Sequence, residues 1–322
     1  MGHPTHMHDT QEPDRSRYSI DRRGGLKAGL ASFTVVCAAG CNDRDSADSY
    51  VERIADLEHR SGGCLGVGLL KLTSEDPVGH RLDERFGMCS TFKLALAAVI
   101  LKETQEGRLI LDRPVNYTSN DIVSYAPVTS QYLERGYMTV AALAEATQRT
   151  SDNTAANLLL DLIGGPAGFT DRLRKIGDTT TRLDRYEPEM NLVPPGEVRD
   201  TTTPAAMAAT VRHIFSGKYL SVQYQQLLQT WMVDTETGLE RLRAGFPAAW
   251  TAGDKTGTGI ADSMANKYND VAVAWPDDGT PSFVLAAYYE ADDTYDTIRD
   301  QDEAVLRAVG QITANYLLED GG

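Results

Sequence analysis

A serine and a lysine three residues apart stand at the start of a long apolar segment, residues 87–101. On an α-helix, Ser90 and Lys93 would share a face near the unpaired backbone N–H groups of the first turn. That end of a helix favours negative charge and therefore a serine alkoxide. Burial disfavours the charged form of a lysine, so Lys93 could act as a neutral base. A pair at this spacing also arises by chance about once per chain of this size, so it does not by itself exclude an ordinary helix start.

Three further stretches place polar residues at the ends of predicted elements. Ser151-Asp152-Asn153 precedes a predicted helix, and these residue types are also the preferred helix caps. Lys255-Thr256-Gly257 ends a predicted strand, and a given tripeptide occurs by chance in roughly fewer than one chain in ten. Residues 185–200 are polar and rich in proline and predict a surface Ω-type loop. Each stretch taken alone has an ordinary structural explanation.

The surrounding pattern predicts the elements that position these residues. Predicted helices cover 46–60, 139–146, 154–163, 169–176, 204–215 and 297–318, and predicted strands cover 64–72, 250–259, 271–275 and 283–289, with another before Ser90. Strand signals nearly vanish between Thr91 and Trp231. This order predicts an α/β (α+β) fold of two domains, an antiparallel sheet flanked by terminal helices with an all-helical domain inserted. The expected sheet domain covers 47–87 and 233–320, and the helical domain covers 88–232 including the loop 185–200.

The first 41 residues differ from the rest and predict an export signal. Arg22 and Arg23 precede a short apolar run, residues 28–40, as a charged region precedes the apolar region of a signal. The run is shorter than the roughly 20 residues that a membrane span needs. It resembles a twin-arginine signal, and residues 38–41 resemble a lipoprotein cleavage box. We expect an exported protein, periplasmic or extracytoplasmic, with membrane contact only through a lipid at Cys41.

Composition narrows the class of protein further. The 322 residues suffice for one large or two ordinary domains, and 41% of them are hydrophobic, as in a globular core. A formal charge of −15 argues against a nucleic-acid partner. Beyond the leader, Cys64 and Cys89 are interpreted as small core residues rather than a disulfide. The sequence shows no zinc-ligand spacing, and we expect no metal and no organic cofactor.

In chain order, the reactive stretches form the set S-x-x-K, S-D-N and K-T-G, with a glutamate-bearing loop before the last. Ser90 and Ser151 are 61 residues apart, Ser151 and Glu187 36, and Glu187 and Lys255 68. Over residues 48–320 the sequence closely resembles a class A serine β-lactamase. The stretches that carry this resemblance are 89–93, 123–129, 151–160, 164–166, 182–191, 199–204 and 254–259.

The resemblance implies a β-lactam hydrolase that gives antibiotic resistance. Ser90 would attack the lactam carbonyl to form an acyl-enzyme, and the backbone N–H groups of Ser90 and Thr258 would hold the oxyanion. Ser151 would pass a proton to the leaving ring nitrogen, with Lys93 and Lys255 on either side of its hydroxyl. The expected partners are penicillins and cephalosporins. The enzyme is expected to be a monomer.

The same resemblance assigns the remaining site residues. Glu187, together with Asn191, would activate the water that hydrolyses the ester, and whether Glu187 or Lys93 is also the base for acylation stays open. Arg185 and Asp200 match the pair that closes the neck of the Ω loop. The residues expected to bind substrate are Tyr125 as a wall, Asn153 at the side-chain amide, and Lys255, Thr256, Gly257, Thr258 and Arg241 at the carboxylate end.

Two positions depart from the family pattern. Many members carry an arginine on the strand after K-T-G, whereas here a hairpin about four residues longer than is common places Tyr268-Asn269-Asp270 there. Arg241 lies in a stretch that carries a substitute arginine in other members. Members that hydrolyse carbapenems often bridge a cysteine at the Cys89 position to one that is Gly259 here. That disulfide is excluded, and carbapenem hydrolysis stays open.

Two alternatives share part of the motif set. A DD-peptidase would share Ser90, Lys93, Ser151, Asn153 and Lys255 but needs no deacylating glutamate. A β-lactam sensor domain would form the acyl-enzyme and stop, and we expect such a domain to be joined to a membrane signalling segment. The presence of Glu187 with Asn191 favours a hydrolase over both alternatives.

Overall fold

The computed structural model describes residue 2 and residues 39–280 and 282–320. From Ala39 onward the chain forms one compact unit. The predicted export leader, residues 1–41, lies outside the described residues except for residue 2 and the start of the first helix. Within the described residues, no helix is both long and apolar enough to cross a bilayer.

Eight helices and nine strands make up the described chain. The helices are α1 (Ala39–Ser61), α2 (Phe92–Gln105), α3 (Val140–Arg149), α4 (Asn153–Leu162), α5 (Gly165–Lys175), α6 (Pro204–Phe215), α7 (Val222–Val233) and α8 (Asp300–Asp320). The strands are β1 (Cys64–Lys71), β2 (Val78–His80), β3 (Phe86–Gly87), β4 (Pro114–Asn116), β5 (Tyr137–Thr139), β6 (Thr201–Thr202), β7 (Thr251–Ala261), β8 (Met264–Trp275) and β9 (Phe283–Glu290).

Five strands form one antiparallel sheet in the order β2-β1-β9-β8-β7. One face of this sheet packs against the terminal helices α1 and α8 through an aromatic-rich cluster that includes Tyr50, Tyr289 and Leu317. The other face, with Val271 and Val284, continues into the core of the helical region. An antiparallel sheet between terminal helices and a helical insertion is the predicted two-domain architecture.

Helix α2 lies at the centre of the helical region. Its residues 92–101 are all buried, which explains why its sequence is apolar all round rather than on one stripe. Phe92 meets the ring of Phe169 from α5 edge-on, at 5.9 Å between ring centroids. Helices α3, α4, α5, α6 and α7 all pack on it. The start of this helix is therefore held from every side, which fixes the position of Ser90 and Lys93.

Three features were missed or understated by the pattern, two of them in the middle of the chain. Helix α7 was not predicted, because its sequence is rich in glutamine and buries few side chains, among them Leu228, Trp231 and Met232. The short strands β4, β5 and β6 also lie in the stretch where strand signals nearly vanish. Cys64 is half-buried at the first residue of β1 rather than in the core.

The strands of the β7–β8 hairpin are longer than predicted. The pattern ends the first strand at 259 and begins the second at 271, whereas pairing runs to Ala261 and Met264 and leaves only Asp262-Ser263 as the turn. The polar residues that broke the apolar pattern are buried against partners distant in sequence. These contacts join Asn266 to the carbonyl of Tyr295, Lys267 to Glu290, Asn269 to the carbonyl of Gly87, and Asp270 to the backbone N–H of Leu242.

Candidate active site

Ser90 lies in a short 3-10 turn, Cys89–Thr91, directly before α2. The Lys93 ammonium nitrogen lies 2.9 Å from Ser90 Oγ, as the shared helix face predicts. Cys89 is buried with a φ of 45°, a left-handed conformation that costs a non-glycine residue roughly 1–2 kcal/mol. Gly257 lets β7 pass close by, since a Cβ there would lie 2.8 Å from the carbonyl of Met88 and 3.0 Å from the nitrogen of Ser90.

Lys93 is completely buried in a cage of oxygen atoms. Its Nζ lies 2.9 Å from the Ser151 carbonyl, 2.5 Å from Asn153 Oδ1 and 2.9 Å from Glu187 Oε1, in addition to Ser90 Oγ. Burial lowers the pKa of Lys93, and the charge of Glu187 partly opposes that effect. The carbonyl of Ser151 and the amide oxygen of Asn153 can only accept, so a neutral amine would spend both N–H groups on them. Its lone pair would then be free for Ser90.

Glu187 contacts both the serine and the lysine. Ser90 Oγ donates to Glu187 Oε1 over 3.2 Å, and Asn191 Nδ2 donates to Oε2 over 2.5 Å. Asn157, to which the sequence analysis assigned no role, holds the backbone of Glu187 at both ends: it accepts from the N–H at 3.0 Å and donates to the carbonyl at 2.8 Å. Asn157 follows Asn153 by four residues on α4, and that spacing places both on one helix face.

The neck of the loop that carries Glu187 is closed by Arg185 and Asp200. Arg185 Nε donates to Asp200 Oδ2 over 2.5 Å, and Asp200 Oδ1 accepts from the backbone N–H groups of Asp184 and Arg185. Asp200 is fully buried and left-handed, with a φ of 58°. A buried carboxylate with this many donors fixes the two ends of the loop against each other.

The S-D-N stretch is both a helix cap and a wall of the cleft. Asp152 caps α4 through the N–H of Ala155 at 2.8 Å and also accepts from the N–H of Thr129 at 2.8 Å. Ser151 and Tyr125 are both left-handed, with φ values of 61° and 60°. Asn153 joins these segments, since its N–H donates to the Tyr125 carbonyl over 3.0 Å. The Tyr125 side chain remains 58% exposed at the mouth of the cleft.

Arg241 is placed against β7 and β8, although it is far from them in sequence. Its guanidinium donates to the carbonyls of Gly257 and Asn269, both at 3.0 Å, and to Thr258 Oγ1 at 2.7 Å. Glu303 of α8 accepts from its Nε at 3.0 Å. The side chain is only 2% exposed, yet it lines the cleft. The guanidinium of Arg241 therefore lies beside Thr258 and is paired with Glu303.

Lys255 is a second fully buried lysine. Its Nζ donates to the Thr256 carbonyl over 2.8 Å. Burial and the nearby charge of Lys93 lower the pKa of Lys255 to about 7. Asp254 of β7 and Asp270 of β8 are also buried. Burial raises the pKa of both carboxyls.

The predicted site residues converge on one cleft of about 460 Å³. Those that line it are Ser90, Tyr125, Ser151, Asn153, Asn191, Arg241, Thr256 and Thr258. Lys93, Glu187, Lys255 and Gly257 lie behind this lining and contact it. The lining also includes Glu236, Thr237, Gly238, Ile298 and Glu303, which the sequence analysis did not single out. Among the described residues, no group of three or more His, Cys, Asp or Glu side chains could hold a metal ion.

A serine hydroxyl within hydrogen-bond distance of both a buried lysine and a buried carboxylate is an activated nucleophile. The cations and hydroxyls at one end of the cleft suit a substrate that carries a carboxylate. The fold and the site together therefore define a serine hydrolase that works by acyl transfer.

Comparison with known proteins identifies the family. The model of the Beta-lactamase enzyme family matches residues 49–317. The chain is 48% identical to Beta-lactamase FAR-1 of Nocardia farcinica over 238 residues, which are 74% of each chain. It is 42% identical to the carbapenem-hydrolyzing beta-lactamase KPC of Klebsiella oxytoca over 283 residues, 88% of this chain and 94% of that one. The protein belongs to the class A serine β-lactamases, and its reaction is the hydrolysis of β-lactams, which gives antibiotic resistance.

Solved structures agree with this assignment. The Putative Class A Beta-Lactamase PenP from Rhodopseudomonas palustris is 45% identical, with a TM-score of 0.78 over 83% of this chain and 99% of that one. The ancestral GNCA class A β-lactamase is 48% identical, with a TM-score of 0.77 over 83% of this chain and 99% of that one. These matches confirm the predicted fold class.

The lowered pKa of Lys255 predicts a pH dependence of substrate binding. The ammonium is present below a pH of about 7 and is lost as the pH rises through that value, so an ion pair with a substrate carboxylate weakens in the same direction. We expect the KM for benzylpenicillin to rise above pH 7, by up to about tenfold per pH unit. Steady-state kinetics from about pH 6 to pH 9 measure this rise.

Lys255→Arg is the matched control, because a guanidinium stays charged over this whole range. Its KM should be flat where that of the unmodified enzyme climbs. If the unmodified enzyme also showed a flat KM, Lys255 would not bind the carboxylate as an ammonium near its transition.

Proposed function

We propose that hydrolysis passes through an ester on Ser90. Its Oγ forms a bond to the lactam carbonyl carbon, its proton moves to a neighbouring base, and the C–N bond of the ring breaks as Ser151 donates a proton to the nitrogen. The observation that carries this proposal is the position of Ser90 Oγ, 2.9 Å from Lys93 Nζ and 3.2 Å from Glu187 Oε1. Ser151 Oγ lies 3.4 Å from Lys93 Nζ, so a proton can return to it.

The oxyanion of this step is assigned to the backbone N–H groups of Ser90 and Thr258. The close approach of Gly257 to the nitrogen of Ser90 supports the assignment, because it brings the next residue of β7 beside the serine. A pair of such donors lowers the barrier by about 3 kcal/mol or more. A side chain at position 257 would push apart the two backbone segments that carry the N–H groups of Ser90 and Thr258.

Deacylation is assigned to Glu187 and Asn191. The carboxylate would take a proton from water, whose oxygen bonds to the ester carbon while the bond to Ser90 Oγ breaks and the serine recovers a proton. The support is the contact of one carboxylate oxygen with Ser90 and of the other with Asn191. Because Lys93 can present a lone pair to Ser90, we assign it as a sufficient base for acylation when Glu187 cannot act.

The variant Glu187→Gln separates the two steps. We expect kcat for benzylpenicillin to fall by about 100-fold or more, while the intact protein gains and keeps the mass of one penicillin. Mass spectrometry of the protein, sampled while the lactam absorbance is followed, measures both. The control is Glu189→Gln, which removes an exposed carboxylate from the same loop and should turn over normally. A Glu187→Gln protein that neither hydrolyses nor acquires mass would show that Lys93 alone cannot support acylation.

The carboxylate end of the substrate is assigned to Arg241, Lys255, Thr256 and Thr258. Arg241 supports this assignment because it contacts Thr258 Oγ1 at 2.7 Å and lines the cleft. Thr237 adds a hydroxyl that lies 2.6 Å from that of Thr256. We assign both penicillins and cephalosporins as substrates, since both carry a carboxylate on the ring fused to the lactam.

Arg241→Ala tests this assignment. We expect the KM for penicillins to rise about tenfold or more, because the substrate carboxylate loses a partly desolvated cation. Arg241→Lys keeps a charge but loses the fork of donors, so its KM should fall between the two. Urea unfolding of both variants separates a binding effect from loss of folded protein. If folded Arg241→Ala had the same KM values for penicillins as the unmodified enzyme, Arg241 would not bind the substrate carboxylate.

We also propose the cellular location of the protein, its lipid anchor, its oligomeric state and its domain boundaries. Export by the leader of residues 1–41, a lipid on Cys41, a monomeric enzyme, and domain boundaries at 87/88 and 232/233 all rest on sequence patterns. The intact mass of the protein from an exporting host, with tandem mass spectrometry of its N-terminal peptide, measures the first two. A mature chain that begins at Cys41 with the added mass of acyl chains is expected. A chain that keeps Met1 in the cytoplasm would contradict export.

A further inference from the structure

A second cavity of about 310 Å³ lies beside the catalytic cleft. Small-molecule sites begin at about this size. Its walls come from the 3-10 turn Thr129–Tyr132, from β5 and from α3, and Glu236 is also part of its lining. Glu236 also lines the catalytic cleft. We call this cavity the lateral pocket, and nothing in the hydrolysis of β-lactams requires it.

The floor of the lateral pocket is apolar. Met138 and Ala146 are each only 4% exposed, and Val128 and Ala142 pack beside them. Tyr132 stands at the rim with 42% of its surface exposed, which is unusual for an aromatic side chain next to an apolar space. A floor of small and flexible side chains under an exposed ring suits one flat aryl group.

The charged side chains that line the lateral pocket balance, two arginines against two glutamates, but both glutamates are taken up by one arginine. Arg149 is already bound by Glu145 at 2.7 Å and by Glu236 at 3.0 Å. Arg135 stacks on the ring of Tyr137 at 4.2 Å, and within the described residues no carboxylate pairs with it. An arginine without a carboxylate partner, next to an apolar floor, can take that partner from a ligand.

The lateral pocket meets the catalytic cleft at Glu236, which lines both. The N–H of Glu236 donates to the carbonyl of Arg149 over 2.9 Å, in addition to the ion pair of the side chains. Thr150 lines the pocket and precedes Ser151, while Thr237 follows Glu236 and contacts Thr256. A ligand that shifts Arg149 therefore acts on both walls of the cleft at once.

We propose that the lateral pocket binds a small monocarboxylate built on one aryl ring, and that its occupancy changes β-lactam turnover through Arg149 and Glu236. The ring lies on the floor formed by Met138 and Ala146, and the carboxylate lies at Arg135. This is a site in addition to the catalytic cleft.

The probe for binding is 4-phenylbutyrate, and the methyl signal of Met138 in a methionine-labelled protein reports on the floor. We expect a saturable shift with a Kd of roughly 1 mM, as for a ligand of this size. The signal should move in the same way when Ser90 is capped by a boronic acid. 4-Phenylbutylamine, which has the same ring but the opposite charge, should bind about fivefold more weakly or worse.

Two variants locate the site. Arg135→Gln should raise the Kd about fivefold and leave basal hydrolysis unchanged. Ala142→Phe should fill the pocket and abolish the shift. Absence of a saturable shift in the folded, unmodified protein would overturn the proposal, and so would a shift that disappears when Ser90 is capped, since the probe would then lie in the catalytic cleft.

The effect on turnover is measured by benzylpenicillin hydrolysis at saturating probe. We expect kcat/KM to change by about fivefold in the unmodified enzyme and to stay constant in Ala142→Phe. Should that variant fail to fold, Arg135→Gln must need about five times more probe for the same change. Binding at Met138 without any change in kcat/KM would overturn the coupling to the cleft.

Discussion

The burial of Lys93 is the constraint on which the rest of the site depends. An ammonium removed from water is costly unless its donors are all satisfied. The oxygens that satisfy this one come from the turn before α2, from the start of α4 and from the Ω loop. These segments are far apart in the chain, so the lysine acts as the point to which all of them are fitted. A shift of any one segment would remove at least one of the oxygen partners of this buried group.

The sheet is fitted to this centre by one close backbone approach and by two buried polar side chains. Gly257 lets β7 lie against the turn of Ser90, and Asn269 of β8 donates to the carbonyls of Gly87 and Met88. Arg241 then ties β7 and β8 to α8 through Glu303. Two regions with separate apolar cores are thereby joined at the reactive serine by hydrogen bonds that tolerate little displacement.

Backbone strain is concentrated at the same place. Four of the five left-handed non-glycine residues in the described chain are Cys89, Tyr125, Ser151 and Asp200, and each belongs to the cleft or to the segments that frame it. Such conformations persist only where surrounding contacts hold them. Here, Asn153 holds Tyr125 and the backbone of the Ω loop holds Asp200. Tertiary contacts therefore keep the cleft in shape. The packing of the two cores offsets the free energy of these strained backbone conformations.

The sequence by itself determined the reactive set, the order of the elements and the helices with strong local signals. The helix predicted over 204–215 was correct at both ends, because a threonine cap and a proline in its first turn are local signals. What only the tertiary structure decided concerns polar groups whose partners are distant in sequence. The polar half of β8, the place of Arg241 against two strands, the grip of Asn157 on Glu187 and the lateral pocket are of this kind. A polar residue in a sequence suggests exposure to water, and only the folded chain supplies the partner that permits its burial.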